Sequence, residues 1–324
     1  MNSIQNSSVI KIGLVGLGSM GSNHLRILNM IKGVEISFIS DSNEKKLLEV
    51  SKKYDLKYVT DPVSEIEKVD GVIIATPTST HFDLIKRFEG KVNNIFVEKP
   101  LASDIRESKE IVDLADKEDI KIQVGFIERF NPSLIGLHSI LGESEGVISI
   151  DFQRTNKLDR ILDTDVVYDL MIHDIDLSLY LNGPAKKIDS QGIVRNNCIE
   201  FASAMIVHQN NKLSRIQASR ITDKKIRKIQ ATCFDRYIDC DLFRRELISS
   251  RQSTIKAEEG KPYVISTTEE IIEVSQQEAL LSELLTFIAL CRDEKDTTYP
   301  DANSALAAAE VCEEIRRGIL NASL

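Results

Sequence analysis

The sequence predicts an α/β protein with two domains: an N-terminal Rossmann domain with a doubly wound parallel sheet, and a C-terminal α+β domain with an open, mostly antiparallel sheet. In residues 9–126 short apolar runs alternate with segments of helical spacing, which is typical of a parallel sheet with crossover helices. Beyond residue 127 longer strand-like runs follow one another in hairpin succession. A chain of 324 residues also suits two cores better than one, so we expect domains at 1–126 and 127–324.

Each predicted element of the N-terminal half follows from the spacing of its apolar residues. The predicted strands are VIKIGLVG (9–16), VEISFIS (34–40), KYV (57–59), GVIIAT (71–76), NIFVE (94–98) and IKIQVGF (120–126). The predicted helices cover 20–32, 43–54, 78–90 and 102–119, the last of them capped by Ser103. Because strand and helix alternate throughout, the strands should lie parallel and be joined by right-handed crossovers.

The C-terminal half is predicted from longer strand-like runs and three helices. The predicted strands cover 147–155, 204–209, 212–221, 224–235 and 236–243. One helix should run from about Val166 to Leu181, with Asp165 as its cap and with Gly183 and Pro184 after its end. Two further helices are expected within 276–293 and 301–320. This order of elements favours an α+β domain.

Composition is that of a soluble globular protein, with 42% hydrophobic residues, 28% charged residues and a formal net charge of -9. The acidic balance argues against a nucleic-acid partner. The five cysteines include no C-x-x-C pair, so we expect neither a metal site nor a disulfide framework. The N-terminus has no charged leader followed by an apolar run, and no segment approaches the ~20 apolar residues of a membrane span. We therefore expect a cytoplasmic protein without a membrane partner.

The segment GLGSMG satisfies G-x-G-x-x-G directly after a predicted strand and at the start of a predicted helix. Gly16 would make the tight turn, Gly18 would let the backbone approach a pyrophosphate, and Gly21 would allow close packing of helix and strand. The helix N-terminus would then offer its free N–H groups to the phosphates. The predicted cofactor contacts in this segment are Gly16, Gly18, Ser19, Met20 and Gly21.

Asp41 is expected to decide between NAD and NADP. It lies about 20 residues after Gly21 and just past the second predicted strand, where an acidic residue holds the ribose 2′-hydroxyl. Its charge would repel a 2′-phosphate, so NAD is favoured over NADP, although Lys45 and Lys46 lie close in sequence. The alternative is that Asp41 only caps the following helix.

Two further segments leave predicted strands at the carboxyl edge of the sheet, where ligands bind in such folds. ATPTSTH (75–81) supplies the candidate cofactor contacts Thr76, Pro77, Thr78 and His81. Either Thr78 or Ser79 could instead be a helix cap.

EKP (98–100) brings a carboxylate and an amine to the same edge, and both are candidate cofactor contacts. The positive charge of oxidised NAD would favour the neutral amine, so Lys99 could take a proton from a substrate hydroxyl while Glu98 anchors the loop. A cis Lys99–Pro100 bond would turn the lysine toward the nicotinamide ring. The alternative is a structural ion pair between Glu98 and Lys99 at the end of a strand.

The segments GLGSMGSNH (16–24), TPTSTH (76–81) and EKP together resemble the Gfo/Idh/MocA family of oxidoreductases. The resemblance covers essentially the whole chain. It implies a Rossmann domain, a C-terminal domain with an open sheet, and NAD(P)-dependent chemistry on a sugar or polyol hydroxyl. It also implies that the open sheet pairs subunits, as a homodimer or homotetramer. A cofactor-binding sensor without turnover is the alternative.

In that family a helix of the second domain carries the motif D-x-x-x-H, which Asp169 and His173 match here. The imidazole of His173 suits proton exchange with a carbinol, and Asp169 could fix its tautomer or hold a neighbouring hydroxyl. Asp176 and Tyr180 follow at helical spacing, so the four polar residues should form one face and line an active site. Asp174 is expected to be structural.

The segments VGFIERFNP (124–132), TDVVYDLMIHDID (164–176) and SRITDKKIRKIQATCFD (219–235) resemble the branch of this family that acts on nucleotide-linked N-acetylhexosamines. The resemblance implies oxidation of the C3 hydroxyl of UDP-N-acetylglucosamine or of a close relative. The alternative is a dehydrogenase of free sugars or inositol.

Substrate contacts are expected from four residues that could hold a diphosphate sugar, namely Arg129, Asn131, Arg154 and Arg160. Tyr168 should also lie near the site, because it precedes Asp169 where the family usually has small residues. The alternative is that the arginines are part of a solvated surface.

Overall fold

The computed structural model describes residues 9–157, 164–256, 264–295 and 297–322. Contacts between Cα atoms divide the chain into two compact units. The first, named the Rossmann unit, comprises the chain up to Ile127 together with Glu278–Leu306. The second, named the sheet unit, comprises Glu128–Gln277 and the chain from Ala307 onward.

The elements of the described residues are numbered in chain order. The strands are β1 Ile10–Val15, β2 Val34–Ser40, β3 Gly71–Ile74, β4 Asn94–Val97, β5 Lys121–Val124, β6 Val147–Thr155, β7 Ala185–Arg195, β8 Cys198–His208, β9 Leu213–Ser219, β10 Ile226–Cys233, β11 Tyr237–Asp241, β12 Glu246–Lys256 and β13 Val264–Ile271. The helices are α1 Ser19–Leu28, α2 Glu44–Tyr54, α3 His81–Phe88, α4 Ile105–Glu118, α5 Pro132–Glu143, α6 Ile172–Asn182, α7 Ala279–Cys291 and α8 Ala302–Ala322.

The Rossmann unit contains a five-stranded sheet in the order β2-β1-β3-β4-β5, and every neighbouring pair is parallel. The strands β1, β3 and β4 are buried over most of their length, which explains their continuous apolar runs. The carboxyl ends of β1, β3 and β4 therefore lie side by side. The residues that follow these strands are Gly16, Ala75 and Glu98, from the three segments that the sequence singled out.

Two local predictions in this unit are wrong. The predicted strand at 57–59 is reduced to an isolated bridge between Ile39 and Tyr58. Helix α4 is capped by Asp104 rather than Ser103, because the Asp104 carboxylate accepts a hydrogen bond of 2.8 Å from the Glu107 N–H.

Helix α7 belongs to the Rossmann unit, although it comes late in the chain. Its residues Leu284 and Phe287 are fully buried and share one apolar cluster with residues of β1, α1 and β4. The Phe287 ring meets the Phe96 ring of β4 edge-on, with 5.8 Å between centroids. The sequence predicted the helix but grouped it with the C-terminal half, because helical periodicity does not say on which sheet a helix packs.

The sheet unit contains an eight-stranded sheet in the order β13-β12-β11-β10-β6-β9-β8-β7. Its neighbouring strands are antiparallel except for β6 and β9, which are parallel. The predicted fold class, a Rossmann sheet followed by an open and mostly antiparallel sheet, is confirmed.

Three strands and one helix of this unit were not predicted. Strand β7 is an edge strand, and its sequence AKKIDSQGIVR lacks a buried apolar face, so it has no strong strand pattern. Strands β12 and β13 were missed as well. Helix α5 begins at Pro132 behind the cap Asn131, whose side-chain oxygen accepts a hydrogen bond from the Ser133 N–H. None of the helices in the described residues has the length and apolar character needed to cross a membrane.

Candidate active site

The glycine-rich turn joins β1 to α1, and two of its glycines are required by packing. Gly16 has a φ of +95°, and a Cβ at this position would lie 2.5 Å from the Ala75 carbonyl oxygen. A Cβ on Gly21 would lie 2.0 Å from the Gly16 carbonyl oxygen. Next to Gly18, in contrast, there is open space. The turn therefore brings bare backbone to the carboxyl edge of the sheet without filling the space in front of it.

Helix α1 starts in this open space. Its N-cap is Gly18, and within the described ranges no side chain accepts from the first N–H groups of the helix. Such an N-terminus fits an anionic group, and the diphosphate of a dinucleotide is the group that a Rossmann fold presents there. Of the neighbouring residues, Ser19 is exposed, while Met20 packs partly against the apolar cluster of the unit.

Asp41 links the end of β2 to the glycine-rich turn. One carboxylate oxygen accepts a hydrogen bond of 2.6 Å from the Leu17 N–H, and the other accepts one of 2.7 Å from the Asn43 N–H. The cap of α2 is Asn43, whose side chain accepts from the Lys46 N–H. The alternative that Asp41 only caps this helix is therefore wrong, since its carboxylate also fixes the turn.

A cleft of about 570 Å³ opens at this edge of the Rossmann unit. Five of the predicted cofactor residues line it: Gly16, Gly18, Asp41, Thr76 and Pro77. The sequence analysis missed other lining residues, among them Thr60, Thr80, Asp83 and Arg87. Polar residues of loops and helix starts carry no motif of their own, so only the strand ends pointed to this cleft. The residues present fit a dinucleotide, because the cleft joins a bare helix N-terminus to a carboxylate at the end of β2.

His81 fixes two loops rather than lining the cleft. The side chain is fully buried. Its Nδ1 lies 3.0 Å from the Pro100 carbonyl oxygen and its Nε2 lies 3.0 Å from the Thr76 carbonyl oxygen. Burial lowers the pKa of His81, against the opposing effect of these carbonyl groups. His81 thus ties the loop after β3 to the loop after β4, while Thr78 opens a short 3₁₀ turn before α3.

Glu98 is paired with a histidine of the glycine-rich segment. Its Oε1 lies 2.8 Å from Nε2 of His24, which is fully buried in α1 and meets the Phe96 ring edge-on. His24 thus packs in the core and also anchors Glu98. The peptide bond from Lys99 to Pro100 is cis, as hypothesised. Lys99 itself is half-buried directly after this anchor.

In the sheet unit the predicted helix of the D-x-x-x-H motif is confirmed, with one departure from regular geometry. Asp165 caps it by accepting hydrogen bonds from the N–H groups of Val167 and Tyr168, at 3.1 and 3.2 Å. Val167–Met171 forms a π-helical turn, and α6 continues from there. Gly183 ends the helix with a φ of +83°. Single π turns inside helices are rare and frequently mark functional sites.

The π turn carries Asp169, and the first turn of α6 carries His173. Both side chains are half-buried. The half-buried Tyr168 donates a hydrogen bond of 3.4 Å to the Ala309 carbonyl, and its ring lies 5.5 Å from the guanidinium of Arg316. Burial raises the pKa of Tyr168, so its hydroxyl stays protonated.

The rest of the predicted polar face holds Arg129. Asp176 is buried and receives two hydrogen bonds from Arg129, at 2.8 and 2.6 Å. The Arg129 guanidinium also lies 4.8 Å from the centre of the Tyr180 ring. Asn131, predicted as a substrate contact, is buried and donates to Glu128 and to the Leu242 carbonyl. Its amide nitrogen is thus used by these two partners, and its side-chain oxygen caps α5.

Arg154 is the centre of a buried ion network. It is 2% exposed and donates two hydrogen bonds of 2.9 and 2.8 Å to Asp174 and one of 2.8 Å to Glu128. Arg227 also reaches Glu128, at 3.2 Å. These contacts assign structural roles to Arg154 and to Asp174, as the sequence expected for the latter. Arg160, the fourth predicted substrate contact of this group, lies outside the described residues.

Comparison with known proteins agrees with this geometry. Residues 10–126 match the profile of the GFO_IDH_MocA family, described as an oxidoreductase family with an NAD-binding Rossmann fold. The UDP-N-acetylglucosamine 3-dehydrogenase of Acidithiobacillus ferrooxidans is 24% identical over 282 residues, which are 86% of this chain and 88% of the relative. An inositol 2-dehydrogenase of Rhizobium meliloti is 24% identical over 329 residues, covering 96% of this chain and 97% of the relative.

Among solved structures, that of the UDP-N-acetylglucosamine 3-dehydrogenase from Acidithiobacillus ferrooxidans superposes with a TM-score of 0.85 at 23% sequence identity. The superposition covers 96% of this chain and 97% of the other. At this level of identity the likeness shows the fold.

The fold and the cleft define a dinucleotide-binding oxidoreductase. The match of residues 10–126 to the model of the Gfo/Idh/MocA family confirms the resemblance seen in the sequence. The protein is thus an oxidoreductase with NAD as its cofactor.

Proposed function

We propose that the protein oxidises a secondary hydroxyl of a nucleotide-linked sugar, namely the C3 hydroxyl of UDP-N-acetylglucosamine or of a close relative. The observation that carries this proposal is the extent of the likeness to the UDP-N-acetylglucosamine 3-dehydrogenase of Acidithiobacillus ferrooxidans. It reaches over 86% of this chain, and therefore beyond the Rossmann unit into the residues that would select the substrate. The D-x-x-x-H motif on the π turn and α6 supports the same assignment.

NAD, when bound, supplies the hydride acceptor. In the proposed reaction the substrate hydroxyl loses its proton to Lys99 or His173, while Asp169 fixes the imidazole or holds a neighbouring hydroxyl. Glu98 and His24 hold the start of the Lys99 loop, and their 2.8 Å contact supports a fixed position for the amine. Positioning of this kind contributes to catalysis, because a general base must lie within hydrogen-bond reach of the proton that it removes.

The structure narrows the residues proposed for substrate binding. Tyr168 remains a candidate because it is half-buried beside Asp169. Arg129 remains one because its side chain keeps 13% exposure while bound to Asp176. We leave out Arg154 and Asn131, whose polar groups are used inside the sheet unit, and Arg160 stays a prediction from the sequence.

A second candidate is an inositol or free-sugar dehydrogenase, favoured by the likeness to the inositol 2-dehydrogenase of Rhizobium meliloti over 96% of this chain. A sensor that binds NAD without turnover would not need Lys99, Asp169 and His173 together.

We further propose a cytoplasmic homodimer or homotetramer that binds neither nucleic acid nor membrane.

A substrate panel tests the proposal. UDP-N-acetylglucosamine, its uronate, UDP-N-acetylgalactosamine, UDP-glucose, glucose and myo-inositol are each offered with NAD, and formation of reduced nicotinamide is followed with a carbonyl trap present. We expect turnover of the UDP-linked N-acetylhexosamines. The His173→Ala protein is the control, because a contaminating dehydrogenase would leave its signal unchanged. Turnover confined to glucose or myo-inositol would contradict the nucleotide-sugar assignment, and binding of NAD without any turnover would favour the sensor.

A further inference from the structure

A buried carboxyl group lies in the Rossmann unit outside the cofactor cleft. Glu283, in α7, is 0% exposed. Neither of its carboxylate oxygens has a hydrogen-bond partner among the residues that the structure describes. Its backbone carbonyl accepts a hydrogen bond of 3.1 Å from the Gln123 side chain of β5. An ionised carboxylate in such surroundings would be strongly destabilising, so this group should keep its proton.

Packing connects Glu283 to the Lys99 loop. Phe287, one turn further along α7, meets the Phe96 ring edge-on. The Phe96 ring also meets the His24 ring, with 5.1 Å between ring centroids. Two residues after Phe96 comes Glu98, which holds His24. The second carboxylate oxygen of Glu98 lies against Gly125, the residue directly after β5, since a Cβ on Gly125 would come within 2.9 Å of it. Helix α7 thus packs on β4 and contacts β5, and Glu98 directly follows β4.

The electrostatic interaction between the carboxyl groups of Glu98 and Glu283 also indicates that Glu283 keeps its proton. Burial, and next the negative charge of Glu98, raise the pKa of Glu283 well above its usual range. Two carboxyl groups that interact in a buried place share protons, and one of them stays neutral. Glu98 has a 2.8 Å contact with His24, whereas neither carboxylate oxygen of Glu283 has a hydrogen-bond partner among the described residues, so the neutral member of the pair is Glu283.

We propose that Glu283 is a positioning residue for Lys99, a buried carboxylic acid that stays protonated so that the negative charge remains on Glu98 and Glu98 keeps its contact with His24. Loss of this proton would place a second negative charge near Glu98 and weaken the anchor at the start of the Lys99 loop. The inference deepens the proposed function, since it rests on the proposed role of Lys99.

The protonated state can be tested without any substrate. Infrared spectra of the whole wild-type protein at about pH 7 should contain the carbonyl band of a protonated carboxylic acid. An ordinary glutamate is ionised at this pH and would not give that band. The band should disappear in Glu283→Gln, which keeps the size and neutrality of the side chain. It should remain in Glu278→Gln, a control at the exposed carboxylate next to α7, which pairs with Arg26. If the wild-type protein lacks the band at this pH, the proposal is wrong.

Stability against pH gives a second test, and its sign follows from the direction of the pKa shift. Folding raises the pKa of Glu283. The contribution of protonated Glu283 to the stability of the folded protein is therefore complete below about pH 4.3 and is lost as pH rises toward the folded-state pKa. Over that range the unfolding equilibrium constant of the wild type should rise about tenfold per pH unit relative to that of Glu283→Gln. Glu283→Leu gives the same comparison if the amide is not tolerated. Parallel pH profiles of wild type and variant would overturn the proposal.

The positioning role needs a kinetic readout. The ratio of the wild-type to the Glu283→Gln rate of single-turnover hydride transfer should fall as pH rises from about 7 to about 10, where buried glutamates ionise. The ratio of their affinities for NADH should stay constant, because Glu283 does not line the cleft. A constant ratio of hydride-transfer rates would refute the positioning role. If the proposed substrate were wrong, the infrared and stability results would be unaffected, so the two failures can be told apart.

Discussion

Replacing Arg154 by methionine is the substitution that best separates a structural arginine from one that binds substrate. Methionine keeps much of the side-chain volume but removes all three hydrogen bonds of the guanidinium. Glu128 would keep Arg227 at 3.2 Å and Asn131 at 3.1 Å. Asp174, which is 2% exposed, would lose the only two hydrogen bonds that the described residues give its carboxylate.

The expected loss is large because Asp174 would be left as a buried charge without compensation. Breaking a buried ion pair in this way costs about 3–5 kcal/mol. In a unit of this size that corresponds to a fall in Tm of roughly 6–20 °C. The matched control is Arg215→Met, which removes an exposed pair with Asp151. Such a surface pair contributes about 0–1 kcal/mol.

Denaturant and thermal unfolding of both variants measure the difference, and NADH binding serves as a check on the Rossmann unit. The double variant Arg154→Met/Asp174→Leu should recover part of the lost stability, because it removes the orphaned charge as well. The reasoning would be refuted if Arg154→Met unfolded like Arg215→Met and its main defect were a raised KM for the proposed substrate.

Three further predictions concern the cofactor, the base and the motif helix. Wild-type protein should bind NAD at least about tenfold more tightly than NADP, or ~1.4 kcal/mol, because Asp41 lines the cleft, and Asp41→Asn should narrow the gap; calorimetry giving equal wild-type affinities would contradict this. Lys99→Ala should slow single-turnover hydride transfer about 10²–10⁴-fold with NADH affinity retained, whereas an early melt with normal hydride transfer would indicate a structural lysine. Asp165→Ala should cost about 1 kcal/mol of unfolding free energy by removing the cap of the motif helix, and an unchanged denaturation midpoint would count against that cap.

The fold was largely predictable because its pattern is local. The Rossmann strands are short and continuously apolar, their helices are amphipathic, and Gly16 and Gly21 are required by the close approach of backbone to backbone. Periodicity failed where an element is defined by its neighbours. The polar edge strand β7 has no buried face to reveal it. The apolar α7 reveals a helix but not its partner, because the chain reaches α7 only after residues 128–277 of the sheet unit, far from the Rossmann strands on which it packs.

The candidate site was less predictable, because residue type does not determine whether a polar group is hydrogen-bonded inside the protein or available to a ligand. Arg154 and Arg129 are the same residue type, and the sequence did not distinguish them. In the structure Arg154 is enclosed by two carboxylates, while Arg129 keeps some exposure beside Tyr180. Glu283 has no motif and sits in an apolar helix, so only the packing of α7 against β4 and β5 relates it to Lys99.

The hydrogen-bond capacity of each polar group explains which predicted cofactor residues remain available. A ring nitrogen of histidine takes part in one hydrogen bond, and both nitrogens of His81 already contact carbonyl oxygens, so no position is left for a ligand. Each oxygen of a carboxylate has about two lone-pair positions, and each oxygen of Asp41 accepts one backbone hydrogen bond from the described residues. Asp41 can therefore fix the glycine-rich turn and still accept two ribose hydroxyls, which makes the structural contact and the predicted binding role compatible in one side chain.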